Sequence, residues 1–464
     1  MDTRIEHDAL GEVEVPAGAL WGAQTQRAIA NFPVSGLASH PALVRAMVQV
    51  KKAAAIANGE LGGITPDVAR AIAAACDEVL AGRHADQFPV DVFQMGAGTA
   101  FHMNVNEVLA NLANQALGGA RGRYDRVHPN DHVNRGQSTN DCFPTAMRVA
   151  AATLAGDLAR ELDLLAAALD AKAAAFAGVV KAGRTHLMDA APVTLGQEMA
   201  AWARTVAAAR DEVARGRDAC CEVGLGGSAV GTGITTVKGF GARAVELLVD
   251  LSGLPLRPAA DLRQAMQSQL PAGILSSAMR SAALELVRIM NDIRLLASGP
   301  GAGLREIELP EVAPGSSIMP GKVNPSIPEM ATQVMFFVAG LDAANALALQ
   351  AGQLELNVMM PLMAFDLDLG LTVMTNAVRA LRTRCVEGIR ANAEVCRRHF
   401  EGSGALATSL TPVIGYEKAA AITLQAVRTG VPVAELLVRR HVLREEEVAA
   451  VFDPRKLTDP HGER

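Results

Sequence analysis

Aromatic residues are scarce in this chain of 464 residues, since tryptophan, tyrosine and phenylalanine together make up only 3% of it. Alanine is abundant instead, and alanine has the highest helix propensity and lets helices pack closely. Hydrophobic residues still amount to 50%, so a large core is available without many large rings. The composition therefore predicts long, closely packed helices, some of them apolar enough to be buried between subunits as well as within one.

Clustered positive charge is also missing. The formal net charge is −6, the isoelectric point is about 6.0, and no block of lysine and arginine is present. Because nucleic-acid binding depends on neutralising phosphates, this argues against nucleic acid as the main partner. A small anionic substrate remains compatible, since a few local positive groups are enough to bind it.

Export, membrane and metal signals are missing as well. Residues 1–6 lack the apolar region of a signal peptide, and no uncharged apolar run reaches the ~18 residues of a membrane span. The six cysteines form neither a C-x-x-C pair nor a zinc-ligand spacing, so we expect reduced, buried thiols. The sequence predicts a cytoplasmic protein that makes no membrane contact and contains no metal site.

The chain divides into three regions by pattern. Residues 1–137 mix short helical patterns with turns, residues 138–391 are rich in alanine and leucine, and residues 392–464 form a small helical tail. Strand-like alternation is scarce, with residues 12–15 as one candidate, and residues 178–193 are expected to form a loop. The central region contains five long helical stretches at 139–175, 190–218, 263–298, 326–358 and 364–391. Long helices separated by short breaks predict a helical bundle.

The loop Gly315–Pro325 contains the densest group of chemically useful side chains. Its two glycines and two prolines exclude a helix. Lys322 and Asn324 can bind a carboxylate, while Ser316 and Ser317 offer hydroxyls at a reacting centre. From spacing alone, a simple connection between two helices is an equal alternative.

Three further polar clusters stand beside predicted helices. Ser138–Asp141 opens a long helix, where an anion is favoured, although N-capping alone accounts for one of the four residues. Gly96–Thr99 precedes another helix, and Arg184–His186 lies in the loop before the helix near Thr194. A lone histidine is more often structural than catalytic, but a threonine and an arginine beside it favour a site.

The loop Gly315–Pro325 resembles the GSSxMPxKxNP motif of the aspartase/fumarase superfamily, a highly specific motif. The resemblance extends over nearly the whole chain, from Arg4 to Pro460. Seven further segments match in order: 23–27, 96–99, 106–111, 137–141, 183–186, 231–233 and 354–358.

The resemblance implies a mainly α, three-part subunit with a central bundle of long helices. It also implies a homotetramer whose core combines helices from four subunits, with each active site formed where three subunits meet. Such an assembly agrees with the apolar, alanine-rich region 138–391.

The resemblance also implies a role for each matching residue. Ser316 corresponds to the general base, which takes a proton from the carbon next to a carboxylate. The implied ligands of the other carboxylate are Lys322, Asn324 and Thr185. The residues implied to hold the reacting carboxylate are Thr99, Ser138, Thr139 and Ser317. Asn140 and His186 correspond to groups placed for the leaving group.

Glu329 has two equal interpretations. It resembles the acid that pairs with the site histidine in fumarases, and Ser326–Glu329 also has the pattern of a helix capping box.

The implied chemistry explains the choice of residue types. Deprotonating a carbon next to a carboxylate places a second negative charge on that carboxylate. Many preorganised donors are needed to stabilise the dianion, and hydroxyls, amides and backbone N–H groups supply them without a metal or an organic cofactor. A serine is a poor base at its usual pKa, so its surroundings must activate it; neighbouring N–H groups and Lys322 are the expected means.

The nucleophile is less well specified than the reaction class. Segments 21–27, 127–131 and 415–420 look like fumarases. Segments similar to aspartases lie at 96–99, 298–309, 326–329, 351–359 and 386–396. Because the aspartase-like segments lie nearer the loop motif, we favour deamination of L-aspartate to fumarate and ammonia. The alternatives are hydration of fumarate to L-malate and a lyase reaction on a related fumarate adduct.

One segment departs from the family pattern. After Gly-x-Gly-Thr the family usually has Ser or Gln and then x-Asn-Met-Asn, whereas this chain has Ala100-Phe101-His102-Met103-Asn104. We expect a difference in substrate size or polarity there. Distant relatives also serve as structural lens proteins, but a retired enzyme would be free to lose Ser316 or Lys322, and both are present.

Overall fold

The computed structural model of the protein describes residues 2–459 and residue 461, and these residues form a mainly α-helical fold, which confirms the predicted fold class. The helices of the N-terminal region are α1 (Ala23–Asn31), α2 (Pro41–Glu60), α3 (Pro66–Leu80) and α4 (Thr99–Ala116). The central helices are α5 (Thr139–Ala175), α6 (Leu195–Cys220), α7 (Phe240–Ser252), α8 (Leu262–Gln267), α9 (Leu270–Leu296), α10 (Ser326–Gln350) and α11 (Met360–Arg384). The C-terminal helices are α12 (Ala393–Gly402), α13 (Ala407–Ile414), α14 (Tyr416–Thr429), α15 (Val433–Arg439), α16 (Glu445–Val451) and α17 (Pro454–Thr458).

Eight short strands pair into four two-stranded sheets within the described residues. The strands are β1 (Thr3–Asp8), β2 (Gly11–Pro16), β3 (Val180–Thr185), β4 (Met188–Thr194), β5 (Glu222–Val223), β6 (Arg257–Pro258), β7 (Ile307–Glu308) and β8 (Arg390–Ala391). The pairs β1–β2, β3–β4 and β7–β8 are antiparallel, and β5–β6 is parallel. The strand predicted at residues 12–15 is confirmed as part of β2.

The prediction of a loop at residues 178–193 was wrong, because this segment forms the β3–β4 hairpin. Its two-residue turn is made by His186 and Leu187, with φ of 55° and 60°. Turns of this type usually contain Asn-Gly or Asp-Gly, and neither is present here, so the local sequence carries no hairpin signal.

The long helices overlap the predicted stretches, and α5 agrees in both bounds. The single helix predicted at 263–298 was wrong, because Ser268 adopts an extended backbone that ends α8 before α9 begins at Leu270. The stretch predicted at 190–218 starts as a helix only at Leu195, since the residues before it belong to β4, and the stretch predicted at 364–391 ends as a helix at Arg384. The stretch predicted at 326–358 ends at Gln350, because Asn357 folds back and donates from Nδ2 to the carbonyls of Ala348 and Leu349. The amide thereby satisfies carbonyl groups that the end of a helix leaves unpaired.

The fold divides into two compact units. The first comprises Met1–Arg160, Arg210–Leu284 and Met335–Thr375, and the second comprises Glu161–Ala209, Glu285–Val334 and Asn376–Arg464. These limits fall inside α5, α6, α9, α10 and α11. They therefore do not test the division at 137/138 and 391/392, which stays a prediction.

Small residues let the central helices approach closely in the first unit. A Cβ atom added to Gly216 of α6 would lie 2.8 Å from the Cα atom of Leu275 in α9. A Cβ atom added to Gly273 of α9 would lie 2.7 Å from Cδ2 of the Leu349 side chain in α10. This is the close helix packing that the alanine-rich composition predicted.

Helix α10 is the one helix among the described residues that is long and apolar enough, by length and composition, to cross a membrane. Helices α14 and α15 meet the same test only as a pair bent by 113°. On α10 the Phe336 and Leu347 side chains are 59% and 65% exposed in the single chain. The helix thus presents an apolar face that the chain itself leaves uncovered.

Candidate active site

The turn Gly96–Thr99 leads into α4 through backbone conformations that few residues adopt. Ala97 and Gly98 both have positive φ, 61° and 84°. The Ala97 N–H donates to the Val358 carbonyl at 2.7 Å, and a Cβ atom at Gly98 would lie 2.3 Å from the Phe143 ring. Glycine is therefore required at position 98 for close packing against α5. This packing places the half-buried Thr99 at the N-terminus of α4.

The start of α5 holds three predicted ligands in one turn. Ser138 Oγ accepts from the Asn140 N–H at 3.2 Å, so Ser138 acts as the helix cap. Asn140 Nδ2 donates to the Ala229 carbonyl at 2.8 Å. Thr139 is buried, with 9% of its surface exposed. Among these three residues, capping therefore accounts for Ser138 alone.

Asp141 connects this turn to a glycine-rich loop far along the chain. Its buried carboxylate accepts from the N–H groups of Ser138, Gly226 and Ser228 at 2.9, 3.0 and 3.0 Å. Burial raises the pKa of Asp141, while these N–H groups act in the opposite direction. The carboxylate therefore positions Ser138 and is itself fully enclosed.

Two buried residues near the start of α5, Lys51 and His102, were not among the site residues predicted from the sequence, although His102 belongs to the segment 100–104 that departs from the family pattern. Lys51 of α2 is completely buried, and its Nζ lies 2.5 Å from Nε2 of His102. The other ring nitrogen of His102 lies 2.7 Å from Thr139 Oγ1. The sequence could have indicated the burial of Lys51, because it lies between Met47 and Ala55, each about one helical turn away, on the apolar face of α2.

In the second unit, Thr185 and His186 lie at the tip of the β3–β4 hairpin. Both side chains are exposed in the single chain, as are Leu187 and Met188. His186 and Leu187 have positive φ although neither is glycine, and such strained conformations persist where the surrounding structure imposes them. The hairpin thus projects the predicted leaving-group histidine outwards.

Below the tip, a buried ion cluster holds the hairpin. Glu306 is fully buried and lies 2.7 Å from Lys181 Nζ, 2.7 Å from an Arg184 nitrogen and 2.9 Å from His399 Nδ1. Lys181 also pairs with Glu198 at 2.8 Å. Burial opposes the ionisation of Glu306, but its cationic neighbours hold its pKa below the usual value. The cluster therefore anchors β3 to the residues before β7 and to α12.

The loop Gly315–Pro325 is closed by its own hydrogen bonds. Asn324 Nδ2 donates to the Gly315 carbonyl at 2.6 Å, and the Gly315 N–H donates to the Lys322 carbonyl at 2.8 Å. A Cβ atom at Gly315 would lie 2.6 Å from the Asn324 nitrogen, so this position requires glycine. One of the two Asn324 amide protons is used for closure, and the second remains for the predicted carboxylate.

Ser316 is the best-positioned hydroxyl in this loop. Its Oγ accepts from the N–H groups of Ile318 and Met319 at 3.2 and 2.9 Å. Two N–H donors aimed at one oxygen stabilise negative charge on it, as in an oxyanion hole. Ser316 is half-buried, while Ser317 and Lys322 are exposed.

The capping-box interpretation of Glu329 is wrong. The Ser326 N–H donates to the Asn324 carbonyl at 2.8 Å, and the Glu329 N–H donates to Pro325. Ser326 is the first residue of α10 and follows the capping position, so the Ser326 side chain does not cap the helix. Glu329 instead faces Arg294 at 4.0 Å, and its pairing with a histidine stays a prediction.

The six cysteines are free and buried, as the sequence predicted. Burial raises the pKa of Cys220 to about 12, so this thiol is not a nucleophile at neutral pH.

Comparison with known proteins shows the family. A sequence model described as lyase matches residues 11–340, and one described as fumarase C C-terminus matches residues 406–459. An aspartate ammonia-lyase from Bacillus sp is 44% identical over 459 residues, covering 99% of this chain and 98% of the relative. A class II fumarate hydratase from Chromobacterium violaceum is 47% identical over 452 residues, covering 97% of this chain and 98% of the relative.

A solved structure agrees with these matches. The recombinant class II fumarase from Schistosoma mansoni superposes with a TM-score of 0.96 at 35% identity, covering 99% of this chain and 100% of that one. The similarity therefore includes the turn at α4, the start of α5, the hairpin and the loop before α10. On these grounds the chain belongs to the aspartase/fumarase superfamily of lyases.

Proposed function

We propose that this lyase removes ammonia from L-aspartate to form fumarate. The observation that supports the proposal most directly is the environment of Ser316, whose Oγ faces two backbone N–H groups in a glycine-containing loop. Such an environment favours the alkoxide over the neutral hydroxyl, which is what a serine needs in order to act as a base.

In the proposed reaction, the Ser316 alkoxide takes a proton from the substrate carbon next to one carboxylate. The electron pair of the broken C–H bond passes into that carboxylate, which becomes a dianion. The pair then returns to form the C=C bond as the C–N bond breaks, so that fumarate and ammonia leave. The amino group of L-aspartate is an ammonium at neutral pH, so cleavage of the C–N bond releases ammonia without a further proton. Asn140 and His186 are the residues proposed to hold this leaving group.

The dianion must be held by donors that are already in place, because their reorganisation would otherwise add to the barrier. Thr99, Ser138, Thr139 and Ser317 are the proposed donors. The first three lie at the N-termini of α4 and α5, where the helix end favours negative charge. Lys322, Asn324 and Thr185 are the proposed ligands of the second carboxylate.

We further propose that these groups come together in a homotetramer, with residues of different subunits at each site. The uncovered apolar face of α10, including Phe336 and Leu347, supports burial between subunits. The expected partners are a small dicarboxylate and further copies of this chain, in the cytoplasm. Light scattering that shows a stable folded monomer at micromolar concentration would contradict this assembly.

The preference for ammonia over water depends on the aspartase-like segments, two of which, 298–309 and 326–329, flank the loop Gly315–Pro325. The relatives do not distinguish ammonia from water as the leaving group, because the aspartate ammonia-lyase is 44% and the fumarate hydratase 47% identical to the chain. Hydration of fumarate is therefore the second candidate, supported by the match of residues 406–459 to the fumarase C C-terminus.

A direct assay separates the two candidates. The purified protein is given L-aspartate, then L-malate, as the only substrate, and fumarate absorbance is followed. We expect fumarate from L-aspartate, with one ammonia released per fumarate. Rapid dehydration of L-malate with inert L-aspartate would establish the fumarase alternative. Failure with both substrates, in a folded protein, would favour a related fumarate adduct or a structural role.

The role of Ser316 is tested with Ser316→Ala. Loss of a general base costs on the order of 10²–10⁴ in rate, and we expect turnover to fall by that factor with the assembly intact. Ser277→Ala is the matched control, since the Ser277 hydroxyl lies on the exposed face of α9 and donates to the Ile274 carbonyl. Near-normal turnover of Ser316→Ala would limit the loop to binding, and His186 would then be the next candidate for the base.

A further inference from the structure

A buried row of polar groups stands behind the start of α5. It runs from Lys51 Nζ through His102 to Thr139 Oγ1, with separations of 2.5 and 2.7 Å. Lys51 and His102 are 0% and 1% exposed. Neither residue is used by the mechanism proposed above, and His102 belongs to the segment that departs from the family pattern.

Two amides beside Lys51 have orientations that their own hydrogen bonds determine. Gln137 Nε2 donates to the carbonyls of Val133 and Arg135, so its Oε1 must face Lys51 Nζ at 2.9 Å. Asn134 Nδ2 donates to the Gln137 carbonyl, which turns its Oδ1 towards Nζ at 3.0 Å. Two of the three protons of a Lys51 ammonium group therefore have oxygen acceptors.

The third proton determines the tautomer of His102. An ammonium group has three donors and no acceptor, so Nε2 of His102 must be the unprotonated nitrogen. The proton of the neutral ring then lies on Nδ1, which donates to Thr139 Oγ1. Buried imidazole commonly has its tautomer set by the partner of the other nitrogen.

Charge in this region supports a neutral ring beside a cation. Burial and the neighbouring Lys51 lower the pKa of His102 well below its usual value. Burial also lowers the pKa of Lys51, while the enclosed Asp141 carboxylate favours its charged form. The nearby thiols of Cys76 and Cys142 stay neutral because burial raises their pKa.

This arrangement determines what the Thr139 hydroxyl can do. Its oxygen is occupied as the acceptor of the His102 N–H, and no other hydrogen bond of this hydroxyl occurs among the residues that the structure describes. Its own proton is therefore free to be donated at the N-terminus of α5. We infer that Lys51 and His102 are positioning residues that orient Thr139 as a hydrogen-bond donor to the substrate carboxylate.

The inference depends on the proposed function in one respect, namely that Thr139 contacts the reacting carboxylate. It does not depend on whether ammonia or water leaves, because both reactions form the same dianion. It also explains the departure at position 102, where an imidazole has two separated nitrogens to connect an ammonium group with a hydroxyl. The expected difference in substrate size or polarity at residues 100–104 stays a prediction, and the inference adds an action of His102 through Thr139.

A double-mutant cycle tests the inference with whichever substrate is turned over. Thr139→Val, His102→Phe and the double variant are compared by kcat and KM. We expect Thr139→Val to lower kcat/KM by ~10–100-fold, as for the loss of a hydrogen bond to a charged group. Because the charge on the carboxylate increases in the transition state, kcat should fall more than KM rises. The double variant should lose no more than Thr139→Val alone, since His102 acts through that hydroxyl.

Additive losses in the cycle would overturn the inference, because they would show that His102 acts independently of Thr139. Unchanged kinetics of Thr139→Val would also overturn it, while Ser316→Ala reports separately on the proposed reaction. If His102→Phe does not yield folded protein, His102→Asn, which restores the family's usual residue, takes its place in the cycle.

A matched control is available in the same unit. His40 Nε2 lies 3.2 Å from Thr372 Oγ1, and His40 also caps α2 by accepting from the Ala42 N–H. His40→Asn removes a comparable histidine–threonine contact outside the proposed site, and asparagine is also a good capping residue. Its kcat and KM should match those of the unmodified protein. A kcat loss equal to that of His102→Phe would overturn the inference by showing a general effect of such contacts.

Discussion

The Glu306 cluster allows a quantitative prediction about how the β3–β4 hairpin is held. Glu306→Gln removes one negative charge from a fully buried position and nearly preserves the shape of the side chain. Removing one partner of a buried ion pair costs ~3–5 kcal/mol, because the other charge is left uncompensated. Here Lys181 keeps Glu198 as a partner, and the Arg184 and His399 side chains are 17% and 28% exposed and can recover water. We therefore expect the lower end of the range, ~3 kcal/mol.

The expected change in melting temperature follows from the size of the chain. At ~2 cal/mol/K per residue, the unfolding entropy of 464 residues melting together is about 1 kcal/mol/K. Glu306→Gln should then lower Tm by about 3 °C at pH 7, measured by calorimetry. Activity should also decrease, because the hairpin carries Thr185 and His186.

The stabilising contribution of Glu306 depends on pH in a direction that its pKa shift determines. The folded-state pKa of Glu306 lies below its usual value of 4.5. Its stabilising contribution is therefore complete above pH 4.5 and is lost as the pH falls through the folded-state pKa. The Tm difference between Glu306→Gln and the unmodified protein should shrink below pH 4.5.

Glu308→Gln is the matched control, two residues away on β7. Glu308 pairs with Arg390 and Arg305 at the surface, where such pairs contribute ~0–1 kcal/mol. Equal Tm values at pH 7 for Glu306→Gln and Glu308→Gln would show that the buried cluster contributes no more to stability than a surface ion pair. The hairpin would then be held by its backbone pairing, with no net contribution from the cluster.

Two further predictions concern the first unit. Gly98→Ala should lower stability by several kcal/mol in thermal melts and raise KM, because the added Cβ atom would overlap the Phe143 ring and φ is 84°. Gly118→Ala is the control, since φ is 79° there and nothing lies near the Cβ position, so its thermal melt should show only the cost of the backbone conformation. Asp368 is buried without a hydrogen-bond partner for either oxygen among the described residues, and burial raises its pKa well above the usual 3.8. The contribution of Asp368 to stability should therefore decrease as the pH rises above 3.8. Asp368→Asn should raise Tm at pH 8 by ~2–4 °C, with a gain that vanishes towards pH 4. A lower Tm for Asp368→Asn at pH 8 would show instead that a group from another subunit pairs with this carboxylate.

Much of the helical architecture could be predicted because it is encoded locally. The stretch rich in alanine and leucine at 139–175 predicts α5 in both bounds, and the strand at 12–15 follows from its alternation. The β3–β4 hairpin could not be predicted in this way, since His186 and Leu187 form its turn without any residue typical of such turns. That turn joins two strands whose pairing runs from Val180–Thr194 to Thr185–Met188, a tertiary feature that the turn residues do not encode.

The chemistry of the proposed site is likewise only partly local. The order of residues in Gly315–Pro325 indicates a loop with a hydroxyl, a cation and an amide, and the specificity of this motif identifies the family. Residue spacing does not predict the two N–H groups that donate to Ser316 Oγ, nor the hydrogen bond from Asn324 that closes the loop.

The mainly helical class, the family and the residue types available for proton abstraction can all be predicted from the sequence, because propensity, periodicity and motif order are properties of neighbouring residues. The tertiary structure alone decided which polar groups meet across long separations. Asp141 accepts from Gly226 and Ser228, and Lys51 reaches His102 and, through it, Thr139. Such contacts depend on how helices and loops distant in sequence pack together, and burial then determines the charge and the hydrogen-bonding direction of each group.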